Sequence, residues 1–244
     1  MRTVKLTIEY DGTLYHGWQV QSGVNTIQGI LQERLARILG HPVCVHGAGR
    51  TDAGVHAKGQ TAHFRTGNSL PAAVIMRALN ALLPDDIVIL EAEEMHSSFH
   101  AQFDAREKEY CYYLLHPPVR SAFHCRYALP APSPLDLDRM RAALAELEGT
   151  HDFFALSTAS GEKENTVRTI TKAELTHEGP FLVITIRGEG FLHKMVRRIV
   201  GTLLEVGKRK ISAAEVAQIL QTRDKNLAGP SVPPHGLFLM SVRY

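Results

Sequence analysis

Val43-Cys-Val-His-Gly-Ala-Gly-Arg-Thr-Asp-Ala-Gly-Val-His-Ala-Lys-Gly-Gln-Thr-Ala-His-Phe64 decides how the first half of the chain is read. Its ends, Val43–His46 and Gln60–Phe64, have strand character, and its middle is a glycine-rich loop. Upstream, Val4 to Tyr10 alternates in the strand manner and stops at the turn signal Asp11-Gly12. Between the two lie Ile27, Ile30, Leu31, Leu35 and Ile38 at helical spacing. They predict a helix from about Thr26 to Leu39, stopped by Gly40 and Pro42. Asn25 with Gln28 three residues on resembles a capping box at its start. Downstream, a second helix is expected over about Pro71 to Leu83, then a buried strand at Ile87–Leu90. The order is β-α-β-β-α-β.

The second half repeats that order in different residues. Glu109–Leu115 reads as a strand, and Leu137–Leu147 as a helix capped by Asp136 and stopped by Gly149. Val167–Leu175 and Phe181–Ile186 predict a hairpin. Helices at about Leu192–Val206 and Ala213–Gln221 precede a last strand, Leu237–Val242. The expected class is therefore α+β, built from two ferredoxin-like halves, residues 1–104 and 105–244. Their antiparallel sheets are expected side by side, with helices on the opposite face and a central basic cleft. RNA-recognition modules share this order, but their aromatic-rich signature is missing from both halves, and element order does not assign function.

Bulk properties narrow the class. A 244-residue chain with 44% hydrophobic and 21% charged residues has a soluble globular composition. No apolar run approaches the roughly 18 residues of a membrane span, and the chain opens straight into a strand pattern, so the cytosol is the expected compartment. Cys44, Cys111 and Cys125 form no C-x-x-C pair, which supports neither a disulfide framework nor a cysteine-rich zinc site. The net charge of +2 announces no polyanionic partner. Residues 187–210, however, hold Arg187, Lys194, Arg197, Arg198, Lys208, Arg209 and Lys210 against only Glu189 and Glu205. Taken alone, that stretch reads as a solvated basic helix face.

The loop Gly47-Ala-Gly-Arg-Thr-Asp-Ala-Gly-Val-His56 sets Arg50 and Asp52 two positions apart among three glycines. Composition alone favours an ordinary turn, with Asp52 bonding local amides and Arg50 solvated. A nucleotide-phosphate loop is excluded by the missing Gly-Lys-Ser/Thr ending. Gly188-Glu-Gly190 after Phe181–Ile186 imitates a dinucleotide fingerprint, but His193 takes its third glycine position, and the strand belongs to a hairpin. His96 and His100 are separated by poor helix formers, His56 and His63 straddle a loop-to-strand passage, and no carboxylate completes H-E-x-x-H. No metal site is expected.

Gly49-Arg-Thr-Asp-Ala-Gly-Val-His-Ala57 resembles the signature loop of the TruA-type tRNA pseudouridine synthases. The resemblance runs along the chain in order. It takes in Glu9-Tyr-Asp-Gly12 with Gly17-Trp-Gln19, Thr26-Ile-Gln-Gly29, Phe103-Asp-Ala-Arg106 leading to Tyr110-Cys-Tyr112, Phe191-Leu-His-Lys-Met-Val-Arg197, and Gly236-Leu-Phe-Leu239. It implies an isomerase that converts uridine to pseudouridine at positions 38–40 of the tRNA anticodon stem-loop, as a homodimer, without metal or cofactor.

By the same resemblance Asp52 is the catalytic carboxylate, either attacking the sugar or assisting proton removal there. Tyr110 is the active-site tyrosine, and Leu237 packs against the base. Arg50 either binds phosphate or fills the space vacated by a flipped uridine. A carboxylate covered by a base needs an opposite charge to stay ionised. At about 100° per residue, Arg197 lies at the edge of an apolar face of Val196, Ile199, Val200 and Leu203 and is the candidate. Lys194 and Arg198 point away from that face and are expected to meet the tRNA backbone. Tyr112 and Tyr113 are read as half-buried strand tyrosines. Two other classes compete: an RNA-binding protein without catalysis, and a nucleotide-dependent oxidoreductase using the Gly188/Gly190 turn.

Overall fold

Residues 1–116, 119, 121–160 and 165–244 are described by a computed structural model. They form two compact units, Met1–Arg106 with Phe238–Tyr244, and Glu107–Leu237. In the first unit the elements run β1 (Arg2–Tyr10), α1 (Ile27–Leu39), β2 (Val45–Gly47), β3 (His56–Thr66), α2 (Ala72–Leu82) and β4 (Ile87–Met95). Their sheet order is β4-β1-β3-β2, and each neighbouring pair is antiparallel. This is the split-βαβ arrangement that the element order predicts. Val4, Leu6 and Ile8 of β1 are fully buried, as are Leu31 and Leu35 of α1 and Ile75 and Leu79 of α2. Each such side chain is worth about 1.5–3 kcal/mol.

The start of α1 differs from the capping-box reading. Thr26, not Asn25, is the N-cap, and its hydroxyl accepts the Gly29 amide at 3.3 Å. Gln28 is drawn elsewhere: its Oε1 accepts the Val20 amide at 2.8 Å and its Nε2 donates to the Val45 carbonyl at 2.8 Å. Long-range backbone groups outcompete the local cap for that amide. β3 starts at His56 rather than Gln60, because the antiparallel ladder with β1 extends to Tyr10↔Ala57.

The second unit runs β5 (Glu107–Leu115), β6 (Leu129–Pro130), α3 (Leu137–Ala145), β7 (Gly149–Asp152), β8 (Val167–Glu178), β9 (Phe181–Gly188), α4 (Met195–Gly207) and α5 (Ala213–Thr222). Its antiparallel order is β5-β9-β8-β7, with β6 lying parallel beside β5. Asp136 caps α3 through the Arg139 amide at 3.2 Å, as the sequence suggests. The last strand, β10 (Leu237–Arg243), carries Phe238–Tyr244 into the first unit, in parallel register with β3 at Phe238↔His56 and Leu239↔Ala57. This differs from the expected grouping of 105–244, because β10 pairs with β3. No helix among the described residues is long and apolar enough to cross a membrane.

α4 starts later than its periodicity suggests. It begins at Met195, not near Leu192, because Lys194 adopts a left-handed conformation (φ 58°) as the N-cap residue. Helical-wheel geometry therefore does not apply to Lys194. Arg198 lies within the helix and is half-buried. It donates to the Ser157 carbonyl (3.4 Å) and the Lys225 carbonyl (3.0 Å), and burial lowers its pKa. The chain after Lys225 closes over the helix at Gly201, where an added Cβ would meet the Pro230 carbonyl oxygen at 1.7 Å.

Candidate active site

The loop carrying Asp52 spans the gap between β2 and β3, and almost every residue in it is tied down. The Ala48 amide donates to the Thr61 carbonyl (2.7 Å), and Gln60 Nε2 donates to the Gly49 carbonyl (2.9 Å). The Thr51 carbonyl accepts the Trp18 amide (3.0 Å), and the Gly54 amide donates to the Tyr15 carbonyl (3.3 Å). The Val55 amide closes the turn onto the Asp52 carbonyl at 3.1 Å, with Gly54 at φ 76°. That left-handed φ is where glycine is least costly.

Side chains from residues 10–18 complete the support. The Tyr10 hydroxyl lies 2.7 Å from the Thr51 hydroxyl, and burial pushes the phenol up to about 12, so it remains protonated. The Gly12 amide donates to His56 Nδ1 at 3.0 Å. A Cβ on Gly12 would approach the Val55 carbonyl oxygen to 2.0 Å, and one on Gly17 the Thr51 carbonyl oxygen to 2.5 Å. Trp18, fully buried, stands over Gly47 so closely that a Cβ there would meet its indole at 2.6 Å. His56 stacks on Phe238 (4.6 Å between centroids). Asp52 is half-buried and Arg50 is exposed on this fixed backbone. Sequence reasoning singled out the 9–12 and 17–19 segments without giving them a task. Their glycines are the signal, because each sits where backbone must touch backbone.

In the second unit, Tyr110 is buried in β5 and meets the edge of Phe191 at 5.0 Å. Phe191 is a partner that the sequence reading did not assign. Tyr112 is fully buried rather than half-buried; its hydroxyl donates to the Pro233 carbonyl at 2.9 Å, and burial raises its pKa. Arg197 is half-buried, and its Nε donates to the Val232 carbonyl at 2.8 Å, while the Val232 amide returns a bond to the Arg197 carbonyl at 3.2 Å. Gly236 packs flat on the Tyr112 ring, where a Cβ would stand 2.8 Å from it. Arg197, Tyr112 and residues 232–236 thus form one locked assembly leading to the buried Leu237. Lys194 is half-buried at the head of α4. Among the described residues no group of three His, Cys, Asp or Glu side chains is disposed to hold a metal ion.

The sequence pattern described as tRNA pseudouridine synthase matches residues 6–104 and 143–244. The chain belongs to the tRNA pseudouridine synthase family. Proteins named tRNA pseudouridine synthase A agree along the full length. The one from Geobacter sp. (strain M21) is 46% identical over 245 residues, covering 100% of this chain and 99% of its own. That from Exiguobacterium sp. (strain ATCC BAA-1283 / AT1b) is 45% identical over 244 residues, covering 100% and 98%. That from Thermoanaerobacter sp. (strain X514) is 41% identical and covers both chains completely. Family membership makes the chain an isomerase and gives the loop an enzymatic context. The matched stretches contain the 48–55 loop with its supporting segment, and α4 with β10; Tyr110 lies between them.

Proposed function

We propose that this enzyme converts uridine to pseudouridine at positions 38, 39 and 40 of the tRNA anticodon stem-loop, with Asp52 as its catalytic carboxylate. The observation that carries the proposal is the Asp52 loop itself. A half-buried acid stands on a backbone held by β3 and by residues 10–18, inside the stretch shared with the family. Catalysis by an enzymic carboxylate requires this kind of positioning more than it requires unusual acidity. In the reaction the N1–C1′ bond breaks, the uracil turns, and C5 bonds to C1′; the C5 proton is lost and N1 regains one. Asp52 acts at the sugar, as nucleophile on C1′ or as base. Tyr110 packs on the uracil and Leu237 borders it, while Arg197 supplies a positive charge to the site and Arg50, exposed on the same loop, meets the RNA. Lys194, at the head of α4, contacts the RNA backbone. The working form is a cytoplasmic homodimer needing no metal or cofactor.

Tritium release from tRNA carrying [5-³H]uridine tests the reading. Wild type is expected to release tritium without added metal or nucleotide, and Asp52→Asn to release none while still binding tRNA. Equal turnover by the two proteins would overturn the assignment.

A further inference from the structure

The first unit carries an aromatic ledge that the catalytic assignment leaves unused. Phe103 is 76% exposed, yet its ring is not loose: it stacks on His100 with centroids 4.2 Å apart and planes at 25°. His100 in turn meets His63 at 4.7 Å and His46 at 5.5 Å, and His46 stacks on His63 at 5.1 Å. The turn that presents Phe103 is closed by the Asp104 amide on the His100 carbonyl (3.0 Å) and by the His100 amide on the Asp104 carboxylate (2.8 Å). His100 Nδ1 accepts the Gln102 amide at 3.2 Å. Beneath, Phe99 and Ala101 pack with Ala48, the first residue of the catalytic loop, and His46 immediately precedes Gly47 at that loop's root. The ledge and the catalytic loop therefore share one foundation.

We infer that Phe103, with His100 and His46 behind it, is a stacking platform for a nucleobase of the RNA substrate. The inference rests on the tRNA-modifying function proposed above. An exposed ring held by a second ring offers one free π face, and any nucleobase can stack on such a face. His46 and Arg65 are exposed beside it, and Arg65 lies close enough to act on His63 and His100 electrostatically. Their donors suit phosphate and sugar oxygens around a stacked base. Asp104, the acid in this group, is occupied by the turn.

The test measures the Kd for tRNA in an Asp52→Asn background, which binds without turnover. Phe103→Ala and Phe103→Leu are expected to weaken binding roughly tenfold. Phe103→Trp should bind at least as well as phenylalanine. The slope of log K against log salt should stay unchanged in all of them, because no phosphate contact is lost. Unchanged affinity in Phe103→Ala, or full affinity in Phe103→Leu, overturns the platform. So does conversion of a dimer to a monomer by Phe103→Ala, which would make the ring a protein contact. If the Asp52-intact enzyme converts uridine while Phe103→Ala binds normally, the platform alone falls. If the intact enzyme converts none, the functional reading falls and the platform with it.

Discussion

A single arginine illustrates how position in a helix and role in a fold can separate. Arg198 has the sequence environment of a phosphate contact, in a stretch with seven cations against two acids. Two of its guanidinium nitrogens, Nη1 and Nη2, donate to the Ser157 and Lys225 carbonyls. Arg198→Ala should therefore cost stability, about 1–3 kcal/mol from two carbonyls left without donors, and leave the salt slope of tRNA binding unaltered. Lys194→Ala should do the opposite, reducing that slope by about one while the melting temperature holds. Thermal denaturation and salt-titrated binding of the two variants check both expectations; an altered slope in Arg198→Ala would restore the phosphate reading. The loop that holds Asp52 was legible in sequence, because Gly47, Gly49 and Gly54 punctuate the passage between two strand-forming stretches. The burial of Arg198 was not, because the strand of chain that covers it lies near residues 225–232, out of range of any local pattern.

Among the elements, α4 shows two effects of opposite sign competing at one residue. Replacing Gly201 by alanine ought to favour the helix by about 1 kcal/mol from backbone entropy alone. The added Cβ would stand 1.7 Å from the Pro230 carbonyl oxygen, a backbone atom that cannot swing aside, and Gly229 crosses the helix at the same point. Overpacking typically costs about 1–3 kcal/mol, so Gly201→Ala is expected to be net destabilising. Pushing away residues 229–232 should also loosen the Val232 bonds to Arg197. A lowered melting temperature with weakened catalysis is the expected outcome, and a stabilised, fully active variant would contradict it. Periodicity located nearly every element, since amphipathic helices and alternating strands write their burial into the sequence. It missed the ends that tertiary contacts set. Asn25 is at least as good a cap as Thr26 in isolation. Lys194 is a residue type with no local reason to turn left-handed.

For the molecule as a whole, acid is the condition that tests how its buried histidines are held, and the sign follows from burial. Burial first, and then the charges of His100, His46 and Arg65 around it, hold the pKa of His63 down at about 4 against an ordinary 6.5. His100 and the partly covered His235 are lowered in the same direction. The unfolded chain binds protons at these groups more readily than the folded one. Stability is therefore full above about pH 6.5 and is lost as the pH falls toward 4. Thermal midpoints measured across that window should decline, and His63→Gln should flatten the decline while lowering the plateau. A midpoint indifferent to pH between 6.5 and 4.5 would show that the cluster is solvated.

The pairing of β10 with β3 has a consequence for the birth of the protein. Residues 56 and 57, at the exit of the Asp52 loop, take Phe238 and Leu239 as neighbours, and these are synthesised only after residues 107–237 have been made. A nascent chain can hold the first unit's other strands together, but His56 waits for its ring partner through most of translation. The Asp52 loop thus acquires its final support late, and incomplete chains lack the strand that braces its exit.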